Sequence, residues 1–455
     1  MSSLNSVLSI ALSGLQASQG ALDVTSNNIS NSDTPGYSRE VVNLSESAPI
    51  TDGSSELGTG VTLQGFTSVR DEVLQMQIDQ QTQQSNYSLA QSNALQQAQT
   101  PFSDTTDNIS TNMTSFFNDL SSMSTDPSNT SQRQSVLNDA TNVASSFQSA
   151  ASTLSSLQTT LDESVPPSVN EINQITTQIA DLNAQIESAH ISGQNPSTLE
   201  DETDQLVSQL SELTNLQTTN TSNGLTVTTG SGTPLVVGNQ AYALSTATGS
   251  NGLQEVLSSD GQDITSSITG GSLGGTLQVR DTAIPGYLSQ LNTLATQFSS
   301  AVNTANEAGY DLTGAAGQAI FSTSATSGAA SSIQVAITSG SQIAASSDGT
   351  TGSAGNLSNL LAVQTAKLPS GTTPTGAYSQ IVSSVGEAAS AASANSTAAS
   401  ASLTQLQSQM SSITGVSLDE ETTNMIRYQM AYQAAAKVIS TVETLSNTLI
   451  GITTT

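Results

Sequence analysis

Apolar residues recur along this chain in alternating steps of three and four. Near the start, Leu4, Leu8, Ala11, Leu15, Leu22 and Ile29 share one register, with polar Ser18 and Thr25 at two of its positions. Val136, Ala140, Val143, Phe147, Ala150, Leu154, Leu157 and Leu161 form an unbroken second register. Ile172, Ile175, Ile179, Leu182, Ile186 and Ala189 form a third, and Leu288, Leu291, Ala295, Phe298, Val302 and Ala305 a fourth. Leu403, Leu406, Met410 and Ile413 precede a last run of Met425, Tyr428, Tyr432, Ala435, Ile439, Val442 and Leu449, interrupted by Ser446. This spacing puts each set on one narrow stripe of a helix. Burying one such aliphatic residue is worth roughly 1.5–3 kcal/mol, a gain that a lone helix in water cannot collect. The internal stripes therefore predict an ordinary bundle within the chain. The stripes at the two ends predict packing against each other, against neighbouring copies, or both. Ordering a backbone costs about 1–2 kcal/mol per residue, so the ends are expected to be largely unordered before assembly.

The middle reads differently. Residues 220–280 hold short alternating runs (LTVTTG, PLVVGNQAYAL, GTLQVR) among Gly, Thr and Ser, which predict strands and turns. A smaller patch of the same kind spans 309–355 and contains SSIQVAI. The fold class expected is mainly α with an inserted β-rich domain, on a long helical bundle or coiled-coil body formed from both ends of the chain. Residues 1–60 with 415–455 form a terminal helical assembly domain in this division. Residues 61–219 with 281–414 form the helical-bundle domain, with a small β segment near 309–355, and 220–280 the inserted outer domain. Pro166-Pro167 and residues 192–197 mark breaks between helices. The strongest break is NNISNSDTPGYSREVV at 27–42. There Pro35 disfavours helix at Thr34, Gly36 permits positive φ, and Asn and Asp side chains can satisfy loose backbone groups.

Composition narrows the function. Hydrophobic residues are 35% and aromatics 3%, with no Trp, so the core must rest on aliphatic side chains. A net charge of −29 repels phosphate, which argues against nucleic acid and anionic membranes as partners. Cys is absent, which removes disulfides, thiolate nucleophiles and Cys-based metal sites. No apolar run reaches the ~18 residues of a membrane span. No Lys or Arg precedes Arg39, so a Sec-type signal is not expected, and a secreted chain would need another export route.

Candidate chemistry is sparse. His190, the single histidine, falls at a helix end where it can meet free carbonyls. Glu200, Asp201, Glu202 and Asp204 read as a solvated helix start, with Ser197 as its N-cap. The glycines of GTG at 58–60 and GGSLGG at 270–275 lack the setting of a phosphate loop and read as turns. Neither a catalytic site nor a cofactor or metal site is expected.

SNNISNSDTPGYSRE at 26–40 resembles the N-terminal signature of bacterial flagellar axial proteins, which include rod, hook and hook-associated subunits. Three further stretches, LGTGVTLQGFTSVRDEVLQMQ (57–77), NEAGYDLTGAAG (306–317) and GVSLDEETTNMIRYQMAYQAAAKVISTVETLSNTLIGI (415–452), are similar to the hook-associated protein 1 family. One departure is Thr203, where that family often has an Arg that would neutralise the local carboxylates. The resemblance implies a structural junction between hook and filament, exported through the flagellar type III apparatus to an extracellular position. It implies hook protein and the second junction protein as partners, a dedicated export chaperone, and self-association in a ring or tube. It implies an assembly motif of Asn27, Asn28, Asn31, Thr34, Pro35, Gly36, Tyr37 and Arg39, with Tyr37 and Arg39 available to neighbours. The seams expected at the terminal helices are Leu4, Leu8, Leu15 and Leu22, and Met425, Tyr428, Tyr432, Ile439, Val442 and Leu449. Another rod or hook subunit, or a secreted coiled-coil adhesin, are the alternative readings.

Overall fold

The computed structural model describes residues 2–453 except 35, 53–54, 104–105, 222–223, 325 and 327. The chain opens with helix α1 (Ser2–Ser30) and two hairpins, β1 (Glu40–Glu46) with β4 (Val61–Ser68) and, between them, β2 (Ile50–Asp52) with β3 (Ser55–Leu57). Five helices follow: α2 (Glu72–Ser103), α3 (Ile109–Met123), α4 (Thr130–Glu163), α5 (Val165–Ile191) and α6 (Ser197–Leu213). An antiparallel four-stranded sheet comes next, β5 (Leu216–Thr221), β6 (Gly224–Thr229), β7 (Pro234–Val237) and β8 (Gln240–Ala241), then the hairpin β9 (Ser245–Thr248) and β10 (Gln254–Leu257). Helix α7 (Gly271–Gln278) runs through a π-turn at Val279–Ala283 into α8 (Ile284–Glu307). Short β11 (Phe321–Ser322), α9 (Ala329–Ser332), β12 (Gln334–Val335) and α10 (Leu357–Thr365) lead to the two longest C-terminal helices, α11 (Pro374–Thr414) and α12 (Leu418–Thr453).

The internal stripes bury as their spacing predicts. Val136, Val143, Phe147 and Leu154 of α4 and Leu291, Ala295, Phe298 and Val302 of α8 are fully buried in one helical core. Four of the chain's seven Phe residues (Phe116, Phe117, Phe298 and Phe321) meet there with ring centroids 5.3–6.4 Å apart. Asn108, Asn129 and Thr373 cap α3, α4 and α11 with side-chain oxygens, and Pro166-Pro167 sit in the first turn of α5, where their missing N–H groups cost nothing. Arg133 is buried and donates to the carbonyls of Pro127 (2.6 Å) and Ile343 (2.7 Å), which ties α4 to the segment after β12.

A second core joins α5, α6 and α7 to the sheets, through Ile172, Ile179, Leu210, Val227, Leu235, Val236 and Val256. Its base is latched by Arg280 in the π-turn, which donates to Asp162 Oδ1 (2.7 Å) and to the Gln254 carbonyl (2.8 Å).

Two sequence expectations are corrected here. The run GTLQVR is helical, and GGSLGG is the start of α7 rather than a turn. The glycines serve close approach: a Cβ on Gly275 would fall against the Tyr87 carbonyl of α2, and Gly271 has φ +67°. We expect Gly275→Val to lower unfolding stability by about 2–3 kcal/mol through overpacking. Gly286→Ala, which meets nothing within 4 Å, should stabilise by roughly 0.5–1 kcal/mol; urea titrations compare the two. Second, residues 40–68 form hairpins that the periodicity did not announce. A bulge between Asn43 and Leu44 interrupts the alternation of β1. The terminal helices α1 and α12 pair with each other, one of the packings that their stripes predict.

Candidate assembly surface

The pairing of the two ends is organised by the turn behind α1. Asn31 N–H donates to the Asn27 carbonyl (3.0 Å), Thr34 N–H to the Asn31 carbonyl (3.0 Å), and Tyr37 N–H to the Thr34 carbonyl (3.2 Å). Side chains repeat the pattern: Asn31 Nδ2 donates to Asn27 Oδ1 (2.8 Å) and Thr34 Oγ1 to Asn31 Oδ1 (3.3 Å). Gly36 takes φ +80°, the left-handed geometry the turn requires. Pro35 lies outside the described residues.

Asn28 is the hub. It is 1% exposed, and its amide reaches three elements. Its Nδ2 donates to the Glu40 carbonyl (2.9 Å) and to Glu421 Oε2 of α12 (3.3 Å). Its Oδ1 accepts from Tyr37 OH (2.8 Å) and from Glu40 N–H (2.9 Å). Tyr37 is thereby engaged within the chain, and so is Arg39. The Arg39 N–H donates to the Thr414 carbonyl (3.0 Å), and its guanidinium lies 3.1 Å from Glu420. Within the chain both side chains already have partners, Tyr37 on Asn28 and Arg39 on Glu420, and Arg39 ties the turn to the α11–α12 corner. Partial burial, with Glu40, Asp201 and Glu421 nearby, pushes the Tyr37 phenol up to about 12, so it stays a neutral donor.

The acidic start of α6 is the body's side of this joint, and not a solvated helix end. Arg70 donates to Glu200 Oε2 (2.5 Å), Asp201 Oδ1 (2.6 Å) and the Ser197 carbonyl (2.7 Å), while Asp201 accepts from Ser38 N–H (3.1 Å). Arg70 thus supplies the cation missing at Thr203, which is buried and bonds to the Leu199 carbonyl. Ser197 is not the cap; Asn195 Oδ1 accepts from its N–H and hydroxyl (3.2 and 2.7 Å). Beneath lies a groove of about 880 Å³ whose lining includes Tyr37, Asp79, Asp204, Gln205 and Met410. His190 is exposed, with Nε2 4.0 Å from Glu200 Oε1. Among the described residues no three His, Cys, Asp or Glu side chains gather as a metal set, and no helix is long and apolar enough to cross a membrane.

Burial along the terminal pair follows small residues as much as large ones. Ala17, Ala21, Val24 and Thr25 are buried on α1, and Val442 on α12. Of the expected seam, Leu4, Leu15, Leu22, Met425, Tyr428 and Ile439 are half-buried, whereas Leu8, Tyr432 and Leu449 are exposed. The reason is a partner that the sequence did not reveal. Hairpin β1–β4 covers a second face of α1, where Gly20 lets Leu63 and Phe66 approach. What remains uncovered is a row of large apolar side chains: Leu8 and Leu12 on α1, and Ile426, Met430 and Leu445 on α12.

Both ends of this arrangement have known counterparts. Residues 8–37 match the family described as flagella basal body rod protein, and residues 407–452 the flagellar basal body rod FlgEFG protein C-terminal family. These ends define the chain as a flagellar axial protein. Residues 95–321 match the flagellar hook-associated protein FlgK helical domain. Flagellar hook-associated protein 1 of Escherichia coli is 25% identical over 99% of this chain and 100% of its own length. That of Bacillus subtilis is 27% identical over 95% of each chain. The structure of the flagellar hook junction protein FlgK from Burkholderia pseudomallei shares the fold, with a TM-score of 0.68 at 20% identity over 74% of this chain and all of that one. The chain belongs to the flagellar hook-associated protein 1 family.

Proposed function

We propose that this chain is a structural subunit of the bacterial flagellum, seated where hook meets filament and assembled through its terminal helix pair. The observation that carries the reading is the row of apolar side chains left exposed on that pair. Such a row marks a contact surface, and self-association in a ring or tube would cover it. The domain division follows the same logic: residues 1–60 with 415–455 assemble, the helical bundle of 61–219 with 281–414 gives thickness, and 220–280 faces outward. Hook protein on one side and the second junction protein on the other are the partners. A dedicated chaperone covers the ends before type III export to the cell exterior. The matches of both chain ends to rod families favour a second reading, a rod or hook subunit; the match at 95–321 favours the junction.

Electron microscopy of a deletion strain, with flagellin assayed in the medium, separates the two. Intact hooks without filaments and shed flagellin are expected; missing hooks would assign the chain to rod or hook. In the complemented strain, Met430→Glu with Leu445→Glu should abolish filament attachment while the purified variant keeps its helix content. Each carboxylate forfeits roughly 1.5–3 kcal/mol of apolar burial at every contact. Wild-type attachment in the double variant would remove α12 from the interface.

A further inference from the structure

Strand β5 is an outer strand of the four-stranded sheet, and its far edge borders the groove. The Gly230 N–H donates to the Asn215 carbonyl (3.2 Å), and antiparallel pairing alternates from there. Gln217, Thr219 and Thr221 therefore turn their backbone groups toward β6, whereas Leu216, Thr218 and Asn220 turn theirs away from it. The Leu216 carbonyl finds a donor on that side, Gln83 Nε2 of α2 at 3.2 Å. Among the described residues, the backbone N–H and C=O groups of Thr218 and Asn220 meet no hydrogen-bonding partner. An open edge of this kind pairs readily with another extended chain.

The rest of the groove says what that chain must carry. Asp79 lies one turn from Gln83 on the same face of α2, and it faces Asp204 of α6. Asp33, Asp71, Glu72 and Asp201 line the same space. Arg70 also lines it, but Glu200 and Asp201 already share its guanidinium. Burial and mutual repulsion push the Asp79 and Asp204 carboxyls up, a cost that a cation beside them would relieve. In an extended chain, the side chains of one face recur at every second residue. A second copy of this chain cannot supply such a basic face. The nearest two of its seven Lys and Arg, Arg427 and Lys437, stand ten positions apart, and both are on helix α12. We infer that an extended segment of another protein, with Lys or Arg at alternate positions, adds to the open edge of β5 and lays its basic side chains against Asp79 and Asp204.

This docking site uses neither outer face of the terminal pair and stands apart from the assembly reading. The test uses the full chain at pH 8 and a fluorescent peptide of about eight residues that alternates Lys and Val, with both ends blocked. Fluorescence anisotropy should show saturable binding, and a peptide with Glu in place of Lys should not bind. Two further peptides keep the charge and carry N-methyl groups on one or the other set of alternate amides. One should bind at least tenfold more weakly and the other nearly as well as the parent, because only one edge of an added strand meets β5. Thr218→Pro removes an outward N–H without breaking a bond to β6, and should weaken binding about tenfold at unchanged net charge. Asp79→Asn with Asp204→Asn should weaken it by a similar factor. No saturable binding, or equal binding of both methylated peptides, would overturn strand addition. Parent affinity in Thr218→Pro would place the peptide elsewhere, and parent affinity in the Asp79→Asn, Asp204→Asn variant would remove the charge contact. Self-association of the chain that Thr218→Pro abolishes would put a second copy on the edge and overturn the choice of partner.

Discussion

Replacing Asn28 with Leu should release the two terminal helices from each other while the helical body stays folded. The amide is buried and makes four hydrogen bonds, two as donor and two as acceptor. Leu has nearly the same volume but can make none. The Tyr37 hydroxyl, the Glu40 N–H and the buried Glu421 carboxylate would each lose a partner. An unsatisfied buried polar group costs about 1–3 kcal/mol, and more when charged, so the summed penalty is roughly 3–6 kcal/mol. The terminal pair has little to set against it. Its fully buried side chains are mostly Ala, Ser, Thr and Val, while Leu8, Leu12, Ile426, Met430 and Leu445 are exposed. Hydrogen exchange followed by peptide mass analysis should show at least tenfold faster exchange in 2–30 and 418–453, with 130–163 and 284–307 unchanged. Asn28→Asp should be nearly as damaging, because it replaces a donor with a second anion beside Glu421. Equal protection of α12 in Asn28→Leu and the parent would show that apolar contact alone holds the pair.

The difference between what was legible in the sequence and what was not follows from range. Val136, Phe147, Ile172, Leu291 and Phe298 could be placed in cores because helical periodicity is local and each stripe fills one face. The terminal seams were read from the same periodicity, but α1 serves three faces. A single stripe cannot say that Ser18 and Thr25 would be buried and Leu8 left out. Glycine misled in α7, since GGSLGG has turn composition and only the neighbouring α2 explains why a helix there must lack side chains. The assembly motif shows the same limit. Its turn chemistry at Asn31, Thr34 and Gly36 was readable because it closes within ten residues. The partners of Asn28 and Arg39 on α12 lie nearly four hundred residues away, and the partners of Arg70 on α6 about one hundred and thirty. Polar residues reserved for a neighbour and polar residues locked inside the chain look alike until those distances are closed.

Stability should fall as pH rises from about 5 to 8, and Asp79 should be the main cause. Its carboxyl is 4% exposed on α2, accepts a hydrogen bond from Gln75 Nε2 at 2.9 Å, and faces Asp204 of α6 across the groove. Burial pushes Asp79 up to about 7, with Asp204 adding to the rise. Asp204 is pushed up to about 6, again by burial, against the pull of Arg70 and with the repulsion of Asp201, Glu200 and Glu72. Arg70 is already shared between Glu200 and Asp201, so it cannot neutralise this pair as well. The sign follows from linkage. A carboxyl whose folded pKa lies above its unfolded value of 3.8 binds more protons in the folded state between the two values. Folding is therefore favoured in acid and weakens as pH climbs through 7. The full penalty above that pH is on the order of 4 kcal/mol for Asp79, at 1.36 kcal/mol per pKa unit. Ordinary surface carboxylates titrate near 4 and contribute little over this range, which isolates the pair. Urea unfolding at pH 5 and pH 8 measures it. Asp79→Asn keeps the shape and the Gln75 contact while removing the charge. It should raise stability at pH 8 by about 2–4 kcal/mol and flatten most of the slope, the remainder belonging to Asp204, which burial keeps raised. A parent protein that is more stable at pH 8 than at pH 5, or an Asp79→Asn variant with the parent's slope, would show that the groove carboxylates are ionised at no cost.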